Sequence, residues 1–267
     1  MQAGIVGIRD AAEAVARRLA AGGVRVAAFD GDRERLRRAA AVAGVTTRRS
    51  LATLSRTLRS PRALLVFEPD ADRDLAALAQ CAGAGGLVAD AGDGPVSAAT
   101  AHAAAVAEAG VAYVDLALFA SPASVQAGFG VAVGGSREAY AQFEPLARRL
   151  GFGADYAALW VGPAGSARFL RSLQALLARQ SLAGMDQLFR GIQQAPEFVS
   201  SPAALMTAWQ SGAAANAEIG ALCEEYLARA RDADAPAARL ARSWSTTAKS
   251  AAAWFEQLAA AGRPPQS

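Results

Sequence analysis

The sequence predicts an α/β domain built on a doubly wound, mostly parallel sheet and followed by an all-α domain. Two patterns carry this expectation. Up to about residue 160, short apolar runs alternate with alanine- and leucine-rich helical stretches, which is the signature of successive βαβ units. After Val161 the alternation stops, Gly162-Pro163 opens a long helical stretch, and everything beyond reads as helix.

Strands are expected at Ala3–Ile8, Val24–Phe29, Leu64–Phe67, Leu87–Asp90, Ala112–Asp115 and Gly130–Val133. Helical patterns fall between them at Ala11–Ala21, Arg33–Ala43, Ser50–Ser60, Ala71–Ala84 and Val96–Ala109. Gly22-Gly23, Gly85-Gly86 and Gly110 stand where helices should stop, and glycine is favoured just past a helix C-terminus. The second half opens with a helix over Ser166–Arg190 and breaks at Gln194–Pro202, Asp232–Pro236 and Gly262–Ser267. Domains are therefore expected at 1–160 and 161–267, without internal repeats or a long flexible linker.

Composition narrows the function classes. With 53% hydrophobic and 19% charged residues, the chain has a soluble globular balance rather than a disordered one. The net charge of +3 is spread along the sequence and offers no basic stripe for nucleic acid. No signal peptide or membrane span is evident, so a cytoplasmic protein is expected. Cys81 and Cys223 lie far apart and read as free thiols. With His102 the only histidine, they form no metal constellation. Lys249 is the only lysine among 27 basic residues, a bias expected of a GC-rich bacterial genome. A mechanism needing a titratable lysine in mid-chain is excluded, because arginine stays protonated.

Met1–Ile8 leads into a helix, and a second strand ends in Phe29-Asp30. Gly134-Gly135 and Gly162-Pro163-Ala164-Gly165 follow in order, and Trp209-Gln210-Ser211-Gly212 fits a Trp-x-x-Gly motif. This ordered set resembles the decarboxylating 6-phosphogluconate dehydrogenases and, more broadly, the β-hydroxyacid dehydrogenase superfamily. The resemblance implies a Rossmann domain and a helical domain that usually mediates dimerisation. It also implies a helical domain shorter than the family's, ending after Gly262-Arg263-Pro264-Pro265.

A Rossmann cofactor loop needs G-x-G-x-x-G after its first strand, so that the backbone can approach the pyrophosphate and the helix can pack closely. Here the stretch is Gly7-Ile8-Arg9-Asp10-Ala11-Ala12. Gly7 is retained and Ala12 is an accepted small substitute, but Arg9 replaces the second glycine. Asp10 is expected to cap the helix and to repel a diphosphate. The stretch reads as a turn that has kept its shape and lost its ligand, or as one in which Arg9 pairs with the phosphates. Asp30 stands where an acid holds the adenine ribose and disfavours a 2′-phosphate, or it neighbours a helix N-cap in Asp30-Gly31-Asp32. Cofactor binding is expected to be absent or weak, with NAD favoured over NADP.

The family's chemistry, as the resemblance implies it, uses a lysine base on the long helix, an asparagine one turn later and a Ser-Gly-Gly loop. Aligning Gly162–Gly165 puts Arg171 at the lysine, Ala175 at the asparagine and Ala178 at a further acid. The face 171, 174, 175, 178 reads Arg, Gln, Ala, Ala, with Phe169, Leu173, Leu176 and Leu177 opposite as core. Arg171 cannot abstract a proton at neutral pH but can bind a carboxylate or phosphate. The Ser-Gly-Gly loop becomes Phe119-Ala120-Ser121, and a Gly-Gly-Asn loop becomes Ala91-Gly92-Asp93. Arg171, Gln174, Asp93 and Ser121 are thus the candidates for a catalytic site. Asp90, Asp93 and Asp115 end strands, where they either line a cleft or cap helices. These substitutions point to a family relative without the standard hydride transfer, either repurposed or accessory. The alternatives are an NAD(P)-dependent oxidoreductase with an unusual substrate and a redox-neutral enzyme using cleft carboxylates. The expected partners are a small anionic ligand and a second copy of the chain.

Overall fold

A computed structural model describes residues 1–69, 74–120, 128–151, 158–193 and 202–261. Among the described residues, eight strands form one sheet in the order β3-β2-β1-β4-β5-β6-β7-β8. In chain order they are β1 (Gln2–Val6), β2 (Arg25–Phe29), β3 (Val45–Arg48), β4 (Ala63–Val66), β5 (Leu87–Asp90), β6 (Ala112–Phe119), β7 (Gly130–Gly135) and β8 (Leu159–Gly162). Helices α1 (Asp10–Ala21), α2 (Arg33–Ala40), α3 (Leu51–Thr57), α4 (Leu75–Ala82), α5 (Val96–Ala107) and α6 (Arg137–Leu150) alternate with them. The remaining helices are α7 (Ser166–Gln193), α8 (Pro202–Arg229) and α9 (Pro236–Ala261).

Every adjacent pair is parallel except β6 and β7. That exception follows from connectivity, since a parallel return needs a long crossover, usually a helix, and no helical pattern separates Asp115 from Gly130. The sheet is covered on both faces. Ile5, Leu19, Leu65, Phe143 and Leu146 are buried on one side, while Val6, Leu54, Val66, Leu78 and Val106 are buried on the other. The strand order reverses between β1 and β4, and α/β folds bind ligands at the carboxyl ends beside such a reversal.

Three elements were not expected from the sequence. β3 is a four-residue edge strand, Val-Thr-Thr-Arg, too short and polar to show alternation. β8 is equally short and exposes Leu159 on the other edge. α6 carries Pro145 in its interior, and proline removes an N–H and ordinarily breaks a helix. Its apolar side nevertheless buries Ala139, Phe143, Leu146, Ala147 and Leu150. Strand β6 also runs to Phe119, four residues beyond the expected end, because β7 pairs with it as far as Gly130.

The chain divides into units at Met1–Arg168 and Phe169–Ser267, not at 160/161. The reason is that β8 belongs to the sheet and the amides of Gly165 and Arg168 bond to Asp115 of β6. In the second unit, Phe169 of α7 stacks on Tyr226 of α8 with ring centroids 4.4 Å apart. Its helices are long, with 28 residues in α7 and 26 in α9. α8 and α9 meet along small side chains, Ala237, Ala238, Ala241 and Ala248 being buried together with Ile219 and Cys223. Gly212 lets the Phe255 ring sit close to α8, since a Cβ there would lie 3.0 Å from it. Lys249 of α9 forms an ion pair with Glu224 of α8.

Phe143 is fully buried and anchors the helix that the sequence reading passed over. Phe143→Ala is expected to cost about 3–5 kcal/mol of stability in urea unfolding. A loss below ~1 kcal/mol would show that α6 does not cover this face of the sheet.

Candidate functional site

The turn after β1 keeps its shape. Gly7 adopts φ +80° and donates its N–H to Phe29 O at 2.9 Å. A Cβ at this position would meet Glu68 Cγ at 2.7 Å and Glu68 N at 2.8 Å, so only glycine fits. The stem and backbone of Glu68, just past β4, thus pack on Gly7, the glycine that makes the tight turn. Ile8 N donates to Asp30 Oδ2 at 2.6 Å, Asp32 N donates to Asp30 Oδ1 at 2.7 Å, and Arg35 lies 3.5 Å from Oδ2. Asp30 is only 5% exposed and ties the turn to the end of β2. The N-cap of α2 is Asp32, which accepts from Glu34 N and Arg35 N.

One expectation about this turn is corrected. The N-cap of α1 is Arg9, in extended backbone without a side-chain cap, and Asp10 is the first helical residue. A cap needs non-helical backbone one position earlier, which Arg9 occupies. The Arg9 side chain is exposed. Ala12 is fully buried in the core beneath β1, as close helix–strand packing requires.

A second group of polar residues lies at the ends of β5 and β6. Parallel register puts Asp90 beside Asp115, and both are fully buried. Asp90 Oδ2 accepts from the Tyr113 hydroxyl at 2.7 Å and from Arg168 Nη2 at 2.7 Å, with His102 Nδ1 at 3.3 Å. Asp90 Oδ1 accepts from Gly92 N at 2.9 Å, and Arg168 Nη1 donates to Pro95 O at 3.2 Å. Asp115 accepts from Gly165 N at 2.8 Å and Arg168 N at 2.9 Å, satisfying amides at the start of α7 that have no intrahelical acceptor. Burial raises the Asp115 carboxyl to about 6, against the pull of those two amides. Burial also pushes the Tyr113 hydroxyl well above its ordinary range, and the neighbouring aspartates add to the effect. Tyr113 therefore remains a neutral donor.

The other expected residues are more dispersed. Asp93 is exposed on the loop after β5. Arg171 is half-buried and Gln174 exposed on α7, with Ala175 and Ala178 exposed on the same face and Phe169 and Leu173 buried. Arg171 and Gln174 belong to the second unit. Ser121 lies outside the described residues, while Phe119 ends β6 opposite Gly130. Of the strand-end acids, Asp115 binds the start of α7 and Asp90 holds Arg168. His102 is a packed residue at 8% exposure. Arg168 was missed by the sequence reading, although two neighbouring strands both ending in aspartate signal a nearby buried cation. Among the described residues, no group of three or more His, Cys, Asp or Glu could hold a metal.

Residues 2–162 match the family profile described as the NAD binding domain of 6-phosphogluconate dehydrogenase. The chain belongs to that family. Among solved structures, 6-phosphogluconate dehydrogenase of Plasmodium falciparum superposes with a TM-score of 0.65 at 14% identity, over 79% of this chain. This chain spans only 48% of that protein's length. An imine reductase variant from Myxococcus stipitatus, solved with NAD+, gives 0.61 at 17% identity over 95% of this chain and 94% of its own. Mycobacterium tuberculosis 3-hydroxyisobutyrate dehydrogenase, solved with L-serine, gives 0.57 at 19% over 98% and 99%. At these identities the likeness establishes the family's fold, a Rossmann-type sheet followed by helices. None of the curated proteins compared with the chain matches it.

The raised carboxyl of Asp115 has a stability consequence with a definite sign. Between the ordinary value of 3.8 and about 6, the folded chain holds a proton that the unfolded chain has released. Stability from this group therefore falls as pH rises through that window and levels off above it. Relative to Asp115→Asn, the parent is expected to lose on the order of 3 kcal/mol between pH 4 and pH 7 in denaturant unfolding. A difference between the two that stays flat across this range would show that Asp115 is ionised throughout.

Proposed function

We propose that this chain is a member of the 6-phosphogluconate dehydrogenase family that does not carry out the family's oxidation of hydroxy acids. It acts as a redox-neutral enzyme or accessory protein on a small anionic ligand. One observation carries the reading: the turn after β1 packs against Glu68 and gives its Ile8 N–H to Asp30. A pyrophosphate loop works by offering free N–H groups and an approachable backbone to negative charge. Here an N–H is taken by a carboxylate, the stem and backbone of Glu68 pack on the glycine, and Arg9 stands at the helix entrance in place of the second glycine. These residues do not fit a diphosphate.

Arg171 supports the same reading. A guanidinium at the place of the family's base cannot accept the alcohol proton, but its planar fork suits a carboxylate or phosphate. Gln174 on the same helix adds a hydrogen-bonding amide. Both cysteines are free and buried, in keeping with a reducing cytoplasm. Among the described residues no helix is long and apolar enough to cross a membrane. A second reading, an NAD(P)-dependent oxidoreductase on an unusual substrate, is favoured by the retained Gly7 turn and the small Ala12. In that case NAD is preferred, because Asp30 disfavours a 2′-phosphate.

Calorimetric titration with NAD and NADP separates the two. A carboxylate a few ångströms from a phosphate costs on the order of 1–4 kcal/mol. From a typical affinity of about −8 kcal/mol at micromolar Kd, that moves binding towards the millimolar range. The expected result is weak or undetectable binding, strengthened by combining Arg9→Gly with Glu68→Gln. No reduced cofactor is expected from 6-phosphogluconate or simple 3-hydroxy acids. A low-micromolar Kd for the parent overturns the reading in favour of the oxidoreductase.

We also propose a homodimer formed through the helical unit. Leu240, Trp244, Thr247, Ala251 and Trp254 recur along α9 at spacings of four and three, beside the alanine face that meets α8. Leu240 is 37% and Trp254 56% exposed. Light scattering at micromolar concentration is expected to give twice the chain mass, and Trp254→Glu to give the monomer. A monomer mass for the parent rejects the proposal.

A further inference from the structure

Strands β1, β2 and β4 begin side by side, at Gln2, Arg25 and Ala63, at the opposite end from the Gly7 turn. Gln2 Oε1 accepts from Arg59 N at 2.8 Å, and Arg25 N donates to Met1 O at 3.1 Å. The backbone carrying Arg25 and Arg59 is thereby fixed to β1. Two adjoining grooves open at this end, of about 380 Å³ and about 610 Å³, and both are lined by Met1 and Pro145. Arg25, Arg59 and Arg62 line the first, while Arg18, Arg148 and Arg149 line the second. Among the described residues, no aspartate or glutamate lines either groove.

The contacts of these arginines leave most of their charge uncompensated. Arg18 donates to Gly151 O at 2.7 Å and Arg62 to Ser55 O at 2.9 Å, both neutral acceptors. Arg148 pairs with Glu144, one turn earlier on α6. Arg25, Arg59, Arg148 and Arg149 are exposed. Helix dipoles account for Arg18, Arg148 and Arg149, which lie in the last turns of α1 and α6. They do not account for Arg25, which opens a strand, or for Arg59, which lies beyond the α3 C-cap Leu58.

We propose that this face binds a small polyanion carrying clustered phosphate groups, at a site separate from the Gly7 turn. Six guanidiniums along two joined grooves call for several negative charges on one ligand. The planar fork of arginine matches phosphate oxygens. Each groove falls within the range of small-molecule sites, about 300–1,000 Å³.

The test is calorimetric titration of the full chain with inorganic tripolyphosphate at two salt concentrations. Saturable one-to-one binding is expected at low salt, weakening by about tenfold or more between ~50 mM and ~200 mM. Reversing Arg25 and Arg149 to Glu should weaken it at least ~10-fold, since each screened contact is lost and replaced by repulsion. Arg17→Glu with Arg37→Glu, which removes exposed pairs elsewhere on α1 and α2, should change it less than ~2-fold. Arg9→Ala should bind as the parent does, which separates this site from the turn after β1. Thermal melts establish that each variant is folded. Absence of saturable binding at low salt overturns the proposal, as does equal loss in the two double reversals or a loss in Arg9→Ala.

Discussion

Two carboxylates buried side by side, Asp90 and Asp115, constrain the whole carboxyl end of the α/β unit. Charged and unpaired, each would cost several kcal/mol to remove from water. Their neighbours divide the problem. Arg168 and Tyr113 converge on one oxygen of Asp90, which keeps that group as a paired charge. Asp115 receives two amides and keeps its proton up to about pH 6, so the pair avoids two adjacent full charges over part of the pH range. The cation and one amide come from the first turn of α7 and the other amide from Gly165 just before it, so the start of that helix is specified by electrostatics as well as by packing. Moving it would strand a buried carboxylate.

The turn after β1 shows that backbone geometry and ligand chemistry are separable. Its positive φ, its hydrogen bond to β2 and the small residue under the helix are those of a dinucleotide loop. The side chains agree with such a loop at Asp30, which stands where an acid holds the adenine ribose, and differ at Arg9, which stands at the second glycine. A fold fixes the shape of such a turn without fixing what it binds, which is why family membership and activity are separate claims.

Much of the architecture was legible in the sequence because buried parallel strands are short apolar runs and surface helices repeat with their own period. The interior strands and the helices α1 to α5 and α7 declared themselves this way. β3 and β8 did not, since four residues at a sheet edge are too few to set a period. α6 was obscured by Pro145, although its apolar stripe was present. At the site, the identities of residues 7, 9, 12 and 30 could be read off by spacing from the first strand. Glu68 could not, because its place over Gly7 follows from the strand order, in which β4 lies beside β1. Arg168 could not be read from the sequence either. Its partners are 78 and 53 residues away, and only the register of β5 on β6 brings them together.

The nearly lysine-free composition has a practical side. Because Lys249 is the only lysine, the chain carries one side-chain amine, on α9, beside Glu224. An acyl label introduced there reports on the helical hairpin alone and leaves the α/β unit without a modified side chain. It also removes the positive half of the ion pair with Glu224, so the reporter perturbs the contact it is attached to. A surface pair of this kind is worth less than about 1 kcal/mol, so labelling leaves the α8–α9 packing in place. Amine-directed crosslinkers are equally restricted: between two copies of the chain, the side-chain bridge they can form joins one α9 to the other.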